Sequence, residues 1–185
     1  ALHLKEPVAG YTHFDHPVQR YVNSLIEEII EIDVAAAPKG IDGCQTPVIG
    51  MPLRNLAKGM AKMARPETLT PVLGNSAQNV VAAIQKYPDL IAGTGRFCSA
   101  ITQESGGKIL GKMGADGVFS VILPEKGWGI ALKIDDGHLQ AAEVAIMGIL
   151  KKHNLLTESP HWAPWANPQI MTWNKQAVGE ITFVG

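Results

Sequence analysis

The sequence has little of several features that mark particular classes of protein. Cys44 and Cys98 are its only cysteines, which excludes a scaffold held by several disulfides and is typical of a reducing compartment, so we expect a cytoplasmic protein. No apolar run approaches the roughly 20 residues that a membrane-spanning helix requires. The 16 basic and 17 acidic residues nearly cancel, so we expect neither nucleic acid nor a membrane surface as a partner.

Common catalytic motifs are also missing. The chain contains no CxxC, HExxH, P-loop or GxSxG pattern, and its six histidines are scattered without metal-ligand spacing on one helix face. The first residues, "ALHLKEPVAGY", hold neither an initiator Met nor a secretory signal. We therefore expect either a processed chain or a piece of a longer one, with a small molecule as its partner.

Helical periodicity dominates the first half of the chain, whose 185 residues fit a single domain, residues 1–185. Apolar residues recur at a spacing of three or four, which predicts one helix starting near Pro17, one starting near Pro52 and one from about Asn75 to Lys86. On the first helix, the predicted core-facing residues are Val18, Tyr21, Val22, Leu25, Ile26, Ile29 and Ile30.

In the second half of the chain, the spacing of apolar residues changes from the helical period of 3.6 to the strand period of two. The stretches "KILGKMG", "GVFSVILP" and "WGIALKI" predict an antiparallel meander of three strands. A fourth helix is expected over about His138–His153, followed by a packed Pro- and Trp-rich loop. The last stretch, "AVGEITFV", is expected to add a fourth strand to the meander. Helices followed by an antiparallel sheet, a helix and a strand predict an α+β fold in which the sheet packs against helices.

Cys44 lies in a stretch rich in glycine and proline, "GIDGCQTPVIGMPL", residues 40–53. The glycines allow backbone amides and the Asp42 carboxylate to converge on one point. Such a cysteine can be structural, a metal ligand or a nucleophile, and the local sequence leaves these three roles open. Cys98, which follows Phe97, is predicted to be a small buried hydrophobe.

Five further stretches occur in the order found in one enzyme family: "DHPVQ", "GIDGCQTPVIGMPL", "GTGRF", "GGKILGKMGADGVFSV" and "LKIDDGHLQA". From about Leu2 to Val184 the chain resembles the C-terminal half of the Rhizobium-type (thermolabile) L-asparaginase II family. The resemblance implies an amidohydrolase that converts L-asparagine to L-aspartate and ammonia. It also implies a fold similar to that of serine β-lactamases and glutaminases, with an antiparallel sheet beside helices.

The resemblance implies roles for three residues. Cys44 matches a cysteine that binds zinc, so zinc is the expected cofactor; Asp42 matches an acidic residue at the α-amino group of the substrate; Lys112 matches a lysine that assists a Ser-Lys dyad. The residues by themselves also allow ordinary roles. Asp42 can be a turn residue that binds its own backbone, and Lys112 can be an edge-strand lysine that discourages aggregation. Lys108 is the rival candidate for the catalytic lysine.

The family carries two signatures in its first half, a Ser-x-x-Lys pair and a Cys-Ser-Gly-Lys-His segment. The second does not occur in this sequence, and the one Ser-x-x-Lys pattern, from Ser105 to Lys108, lies in the part that resembles the family's second half. The resemblance therefore implies that the nucleophilic serine and the other zinc ligands lie in an N-terminal half of the same protein. We expect that half as a partner, and a homodimer as the assembly. Two other hypotheses stay open: an inert C-terminal fragment, and a Ser-Lys hydrolase of another amide such as glutamine or a β-lactam.

Overall fold

The computed structural model describes residues 1–157 and 159–185. Within them, the α-helices are α1 Pro17–Ile30, α2 Leu53–Ala64, α3 Pro71–Lys86, α4 Asp89–Ala92, α5 Phe97–Glu104, α6 Leu139–Lys152 and α7 Ala163–Ala166. The strands are β1 Lys39–Ile41, β2 Pro47–Ile49, β3 Leu110–Met113, β4 Val118–Leu123, β5 Trp128–Lys133, β6 Gln169–Met171 and β7 Ala177–Glu180. This mixed α+β arrangement of small antiparallel sheets against helices confirms the predicted fold class.

The central sheet is the predicted meander, with strands in the order β3-β4-β5 and both pairs antiparallel. Its middle strand β4 is buried on both faces. Phe119, Val121 and Leu123 enter the main core together with residues of α5 and α6, and Ile122 on the opposite face pairs with Gly129 of β5. The sheet is therefore a layer between two sets of helices.

Helix α2 covers the face of the sheet that carries Gly129. A Cβ atom added at Gly129 would overlap the carbonyl oxygen of Ala57 and the backbone nitrogen of Ala61, and would lie 2.7 Å from Cβ of Met60. The helix backbone thus rests directly on the strand backbone, which only glycine permits at this distance.

The last strand does not join the meander, so that prediction is wrong. β7 pairs instead with β6 in a separate two-stranded sheet. A short loop, residues 172–176, closes this hairpin, and a contact between strands so near in sequence costs little chain entropy. The Pro- and Trp-rich segment, predicted as a packed loop, holds α7 and a 3-10 turn over Pro160–Trp162.

Two helices differ from their predictions. α3 begins at Pro71, four residues before the predicted Asn75, since proline is well suited to a first helical turn. On α1 the buried residues are the polar Gln19 and Asn23, whereas Tyr21 and Val22 of the predicted core-facing stripe are exposed. The apolar stripe of α1 is therefore only partly covered by the described residues.

The chain exposes a large surface for its mass. Its accessible area is 11393 Å², whereas a compact monomer of 19.8 kDa exposes about 8,600 Å². Exposed apolar residues occur on α1, on both small hairpins and on α3. None of the helices in the described part of the chain is long and apolar enough to cross a membrane. Exposed apolar surface of this extent is suited to contact with another molecule.

The contact between α2 and β5 gives a stability prediction. Gly129→Ala should lower the free energy of unfolding by about 1–3 kcal/mol or more, because its Cβ has no room beside the α2 backbone. Gly179→Ala is the matched control, since a Cβ there meets only Cδ1 of Ile170 at 3.6 Å, and should stay within about 0.5 kcal/mol of the wild type. Urea unfolding measures both. Equal midpoints for the two variants would contradict the packing of α2 on β5.

Candidate functional site

Asp42 begins the turn that joins β1 to β2. Its Oδ1 accepts hydrogen bonds from the backbone nitrogens of Cys44 at 2.8 Å and Thr46 at 2.9 Å. Its own backbone nitrogen donates to the carbonyl of Thr46, and Gln45 adopts a φ of 64°. Asp42 therefore has the turn role that the sequence left open for it, and the amides of Cys44 and Thr46 occupy one of its two carboxylate oxygens.

The same turn geometry recurs in the β6–β7 hairpin. There the backbone nitrogen of Thr172 donates to the carbonyl of Gln176, and Lys175 has a φ of 59°. The Thr172 hydroxyl accepts from the backbone nitrogen of Gln176. A side-chain oxygen at the first position of such a turn is thus a structural requirement that threonine also meets. For Asp42 the turn uses Oδ1, and no hydrogen bond from the described residues reaches Oδ2.

The thiol of Cys44 projects from this turn and is exposed. A thiolate is a good zinc ligand, but a zinc site needs three or four protein ligands. Residues 1–157 and 159–185 contain no group of three or more His, Cys, Asp or Glu side chains that could hold a metal ion. The described residues therefore supply one candidate zinc ligand, Cys44, and the other ligands of a zinc site would have to come from elsewhere.

Lys112 lies on β3, an outer strand of the central sheet. It pairs with Ser120 of β4, and its exposed amine donates to the carbonyl of Met113 at 2.7 Å. The Ser120 hydroxyl is buried and lies 3.4 Å from the Lys112 carbonyl, to which it donates. Lys112 is therefore held on a strand, as predicted, while both of the alternatives for it, catalysis and protection of the edge, remain compatible with its position.

Cys98 is buried, with 1% of its surface exposed, which confirms its predicted environment. It also has a role that the sequence did not reveal. Gly114 donates to the carbonyl of Val118 across the β3–β4 turn, so the nitrogen of Met113 points to the open edge of the sheet. There it donates to Sγ of Cys98 at 3.2 Å. Burial raises the pKa of the Cys98 thiol, which keeps it protonated and unreactive.

The described part of the chain forms two cavities, one of them against the β1–β2 hairpin. One, of about 600 Å³, lies beside the end of α6 and is lined by Lys152, Trp162 and Phe183. The other, of about 570 Å³, is lined by residues of the β1–β2 hairpin such as Lys39 and by residues before α1. Gln45 of the Asp42 turn also lines this second cavity, whereas Asp42, Cys44 and Lys112 line neither of the two and are exposed.

The structure brings two of the three predicted site residues together. Asp42 and Cys44 share one turn, and the Cys44 nitrogen binds the Asp42 carboxylate. Among the described residues, neither a hydrogen bond nor an ion pair joins this turn to Lys112, whose amine binds Met113. Lys108 is exposed like Lys112 but precedes β3 and is not part of the sheet.

The family model described as L-asparaginase II matches residues 1–183. The chain belongs to the L-asparaginase II family. No curated protein matches the chain. The match covers both the turn of Asp42 and Cys44 and the strand of Lys112, so all three candidate residues lie within the region shared with this asparaginase family.

Sequence reasoning missed two charged residues next to the Lys112 strand. Arg96 precedes α5, and its Nη2 lies 3.6 Å from Sδ of Met113. Glu143 lies on α6; its burial raises the pKa of its carboxyl group, and the nearby charge of Arg96 opposes that shift. The sequence offered one signal for Arg96, its position directly after Gly-Thr-Gly. Its contact with Met113 could not be predicted, because the two residues are 17 positions apart in the sequence.

The different environments of the two cysteines predict different reactivities. In the folded chain, Cys44 should react with a thiol reagent such as DTNB, because it is exposed. Cys98 should react only after denaturant is added, because it is buried and its pKa is raised. Cys44→Ser should therefore remove the fast phase. Fast labelling of the folded Cys44→Ser variant would contradict the assignment.

Proposed function

We propose that this chain is part of an L-asparaginase, which hydrolyses the side-chain amide of L-asparagine to give L-aspartate and ammonia. The observation that carries this proposal is the match of residues 1–183 to the L-asparaginase II family. The chemistry of the candidate residues is compatible with it, since a carboxylate oxygen, a thiol and a lysine amine are all accessible to a small amide.

Lys112 is the residue that we assign to catalysis. A serine hydroxyl is nearly inert at neutral pH and needs an adjacent base, which a neutral lysine amine can supply by taking its proton. Ser120, the serine paired with Lys112, is buried and binds the Lys112 carbonyl, so it is not presented as a nucleophile. We therefore propose that the nucleophilic serine comes from an N-terminal half of the same protein.

Asp42 is proposed to bind the α-ammonium group of the substrate. Its Oδ1 is held by the amides of Cys44 and Thr46, which fixes the direction of the carboxylate. Oδ2 can then accept from an ammonium group without loss of the turn. Cys44, next in the same turn, is proposed as one zinc ligand, with the other ligands outside these residues.

We further propose that the uncovered surface of this chain is an assembly surface. Its accessible area exceeds that of a compact monomer by about a third. The exposed Tyr21 and Val22 on α1 belong to this surface. The proposed contacts are with the N-terminal half and with a second copy in a homodimer, in a reducing compartment such as the cytoplasm that suits two free cysteines.

The role of Lys112 is tested in an enzyme that joins this chain to an N-terminal segment carrying Ser-x-x-Lys. Lys112→Met should lower kcat for asparagine by at least about 100-fold, because a general base contributes about 10²–10⁴-fold. Lys108→Met is the matched control and should keep near wild-type turnover. Ammonia release measures activity, and thermal unfolding shows whether the fold is kept.

The same assay separates the alternative functions. Ammonia release should be faster from asparagine than from glutamine. A chromogenic β-lactam, whose ring opening changes its colour but releases no ammonia, should not be hydrolysed. The 185-residue chain without the N-terminal segment should release no ammonia. Turnover by that chain alone would place the nucleophile within these residues, and no turnover by the joined enzyme would favour an inert chain.

Zinc binding by the joined enzyme gives an independent prediction. Cys44→Ala should lower zinc affinity at least about tenfold, since even the loss of an outer partner of a ligand costs about 10–100-fold. Cys98→Ala, which removes the buried thiol, is the control and should bind zinc like the wild type. The affinity should also fall as the pH decreases, because ligands must lose their protons to bind metal. Unchanged affinity in Cys44→Ala would remove Cys44 from the site.

A further inference from the structure

Arg96 is presented at the start of α5 by a turn that contains two glycines. Gly93 has a φ of 100° and Gly95 a φ of 73°, a region that residues with a Cβ rarely adopt. The backbone nitrogen of Arg96 donates to the carbonyl of Gly93 at 3.3 Å. The sequence Gly-Thr-Gly therefore fixes the point from which the Arg96 side chain leaves the backbone.

The guanidinium of Arg96 reaches the same residue as the amine of Lys112. Nη2 of Arg96 lies 3.6 Å from Sδ of Met113, and Nζ of Lys112 lies 2.7 Å from the carbonyl oxygen of Met113. Met113 is itself fixed, because its nitrogen donates to the buried thiol of Cys98. The guanidinium of Arg96 and the amine of Lys112 thus both contact Met113 at the edge of the sheet.

Most of the hydrogen-bonding capacity of Arg96 is unused. A guanidinium has five N–H donors, and a thioether is a weak acceptor that occupies only one of them. Arg96 is exposed, and within residues 1–157 and 159–185 no carboxylate forms an ion pair with it. The positive charge of Arg96 acts on the Glu143 carboxyl group without an ion pair between them. Burial raises the pKa of Glu143 despite that charge. Arg96 is therefore able to bind a further anionic group.

The proposed substrate has one anionic group that needs such a partner. L-asparagine carries an α-carboxylate, an α-ammonium and the amide that is hydrolysed. Asp42 is negatively charged, and Lys112 must be neutral to act as a base, so neither residue can neutralise the carboxylate. A guanidinium binds carboxylates through two parallel hydrogen bonds, which fixes both position and orientation.

Resting on the proposed function, we propose that Arg96 binds the α-carboxylate of the substrate and so selects amino-acid amides over simple amides. Met113, held by Cys98, sets the position of Arg96 relative to Lys112. Arg96 would thus orient the substrate so that its side-chain amide faces the catalytic groups. This assignment makes Arg96 a binding residue and gives it no part in proton transfer.

The test compares two substrates in the joined enzyme: L-asparagine and 3-aminopropanamide, which is asparagine without its carboxylate. Arg96→Gln should lower kcat/KM for asparagine by about 10–100-fold, the range of a lost hydrogen bond to a charged group. It should leave kcat/KM for 3-aminopropanamide unchanged. Arg54→Gln, which removes an exposed arginine of α2, is the matched control and should change neither. Arg96→Lys keeps the charge and should show a smaller loss than Arg96→Gln.

Several outcomes would overturn the proposal. One is an equal loss on both substrates, and another is no loss on asparagine. If the wild-type enzyme releases no ammonia from asparagine, the proposed function fails, and calorimetric binding of L-aspartate then tests Arg96 alone. An affinity for L-aspartate about tenfold or more lower in Arg96→Gln than in Arg54→Gln would support the site. Equal affinities, or no binding to the wild type, would overturn it. Circular dichroism shows whether each variant is folded.

Discussion

The direct backbone contact between α2 and β5 at Gly129 is the constraint on which the central sheet depends. Helix α2 covers one face of the sheet, and α5 and α6 cover the other. The middle strand β4 therefore has no solvent-facing side, and its residues from Phe119 to Leu123 are all buried. A strand buried on both faces cannot slip by one residue without loss of packing. The register of β3 on β4 is therefore fixed, and with it the position of Lys112 opposite Ser120.

The two small hairpins show how a turn requirement can be combined with function. Both turns need an oxygen at their first residue, and Thr172 and Asp42 each provide one. A threonine hydroxyl gives the turn its acceptor and leaves no charge. Oδ1 of Asp42 accepts from two backbone amides of its turn, whereas the Thr172 hydroxyl accepts from one. The turn itself therefore favours aspartate at residue 42, and the same side chain leaves a second, charged oxygen on the surface that the proposed function can use.

Local patterns predicted more of the fold than of the contacts between elements. The period-two stretches predicted the meander, and the spacing of Asp42 and Cys44 predicted that they share a turn, because both depend on residues close in sequence. Two expectations were wrong for different reasons. The partner of β7 is the neighbouring strand β6, which the sequence did not predict as a strand. The covered face of α1 is decided by distant parts of the chain. Arg96 was missed in the same way, because its significance lies in its contact with Met113.

The exposure of Lys112 and the large surface of the chain are related. A lysine in water holds its proton at neutral pH and cannot act as a base, whereas burial or a neighbouring cation favours the neutral amine. Lys112 is exposed, with a backbone carbonyl as its partner, so catalysis by this residue requires that another surface cover it. Arg96, held on the same Met113, would add a cation to the enclosed site until a substrate carboxylate neutralised it. If Lys112 is the base proposed above, covering the β3 edge both completes the fold and removes the Lys112 amine from water.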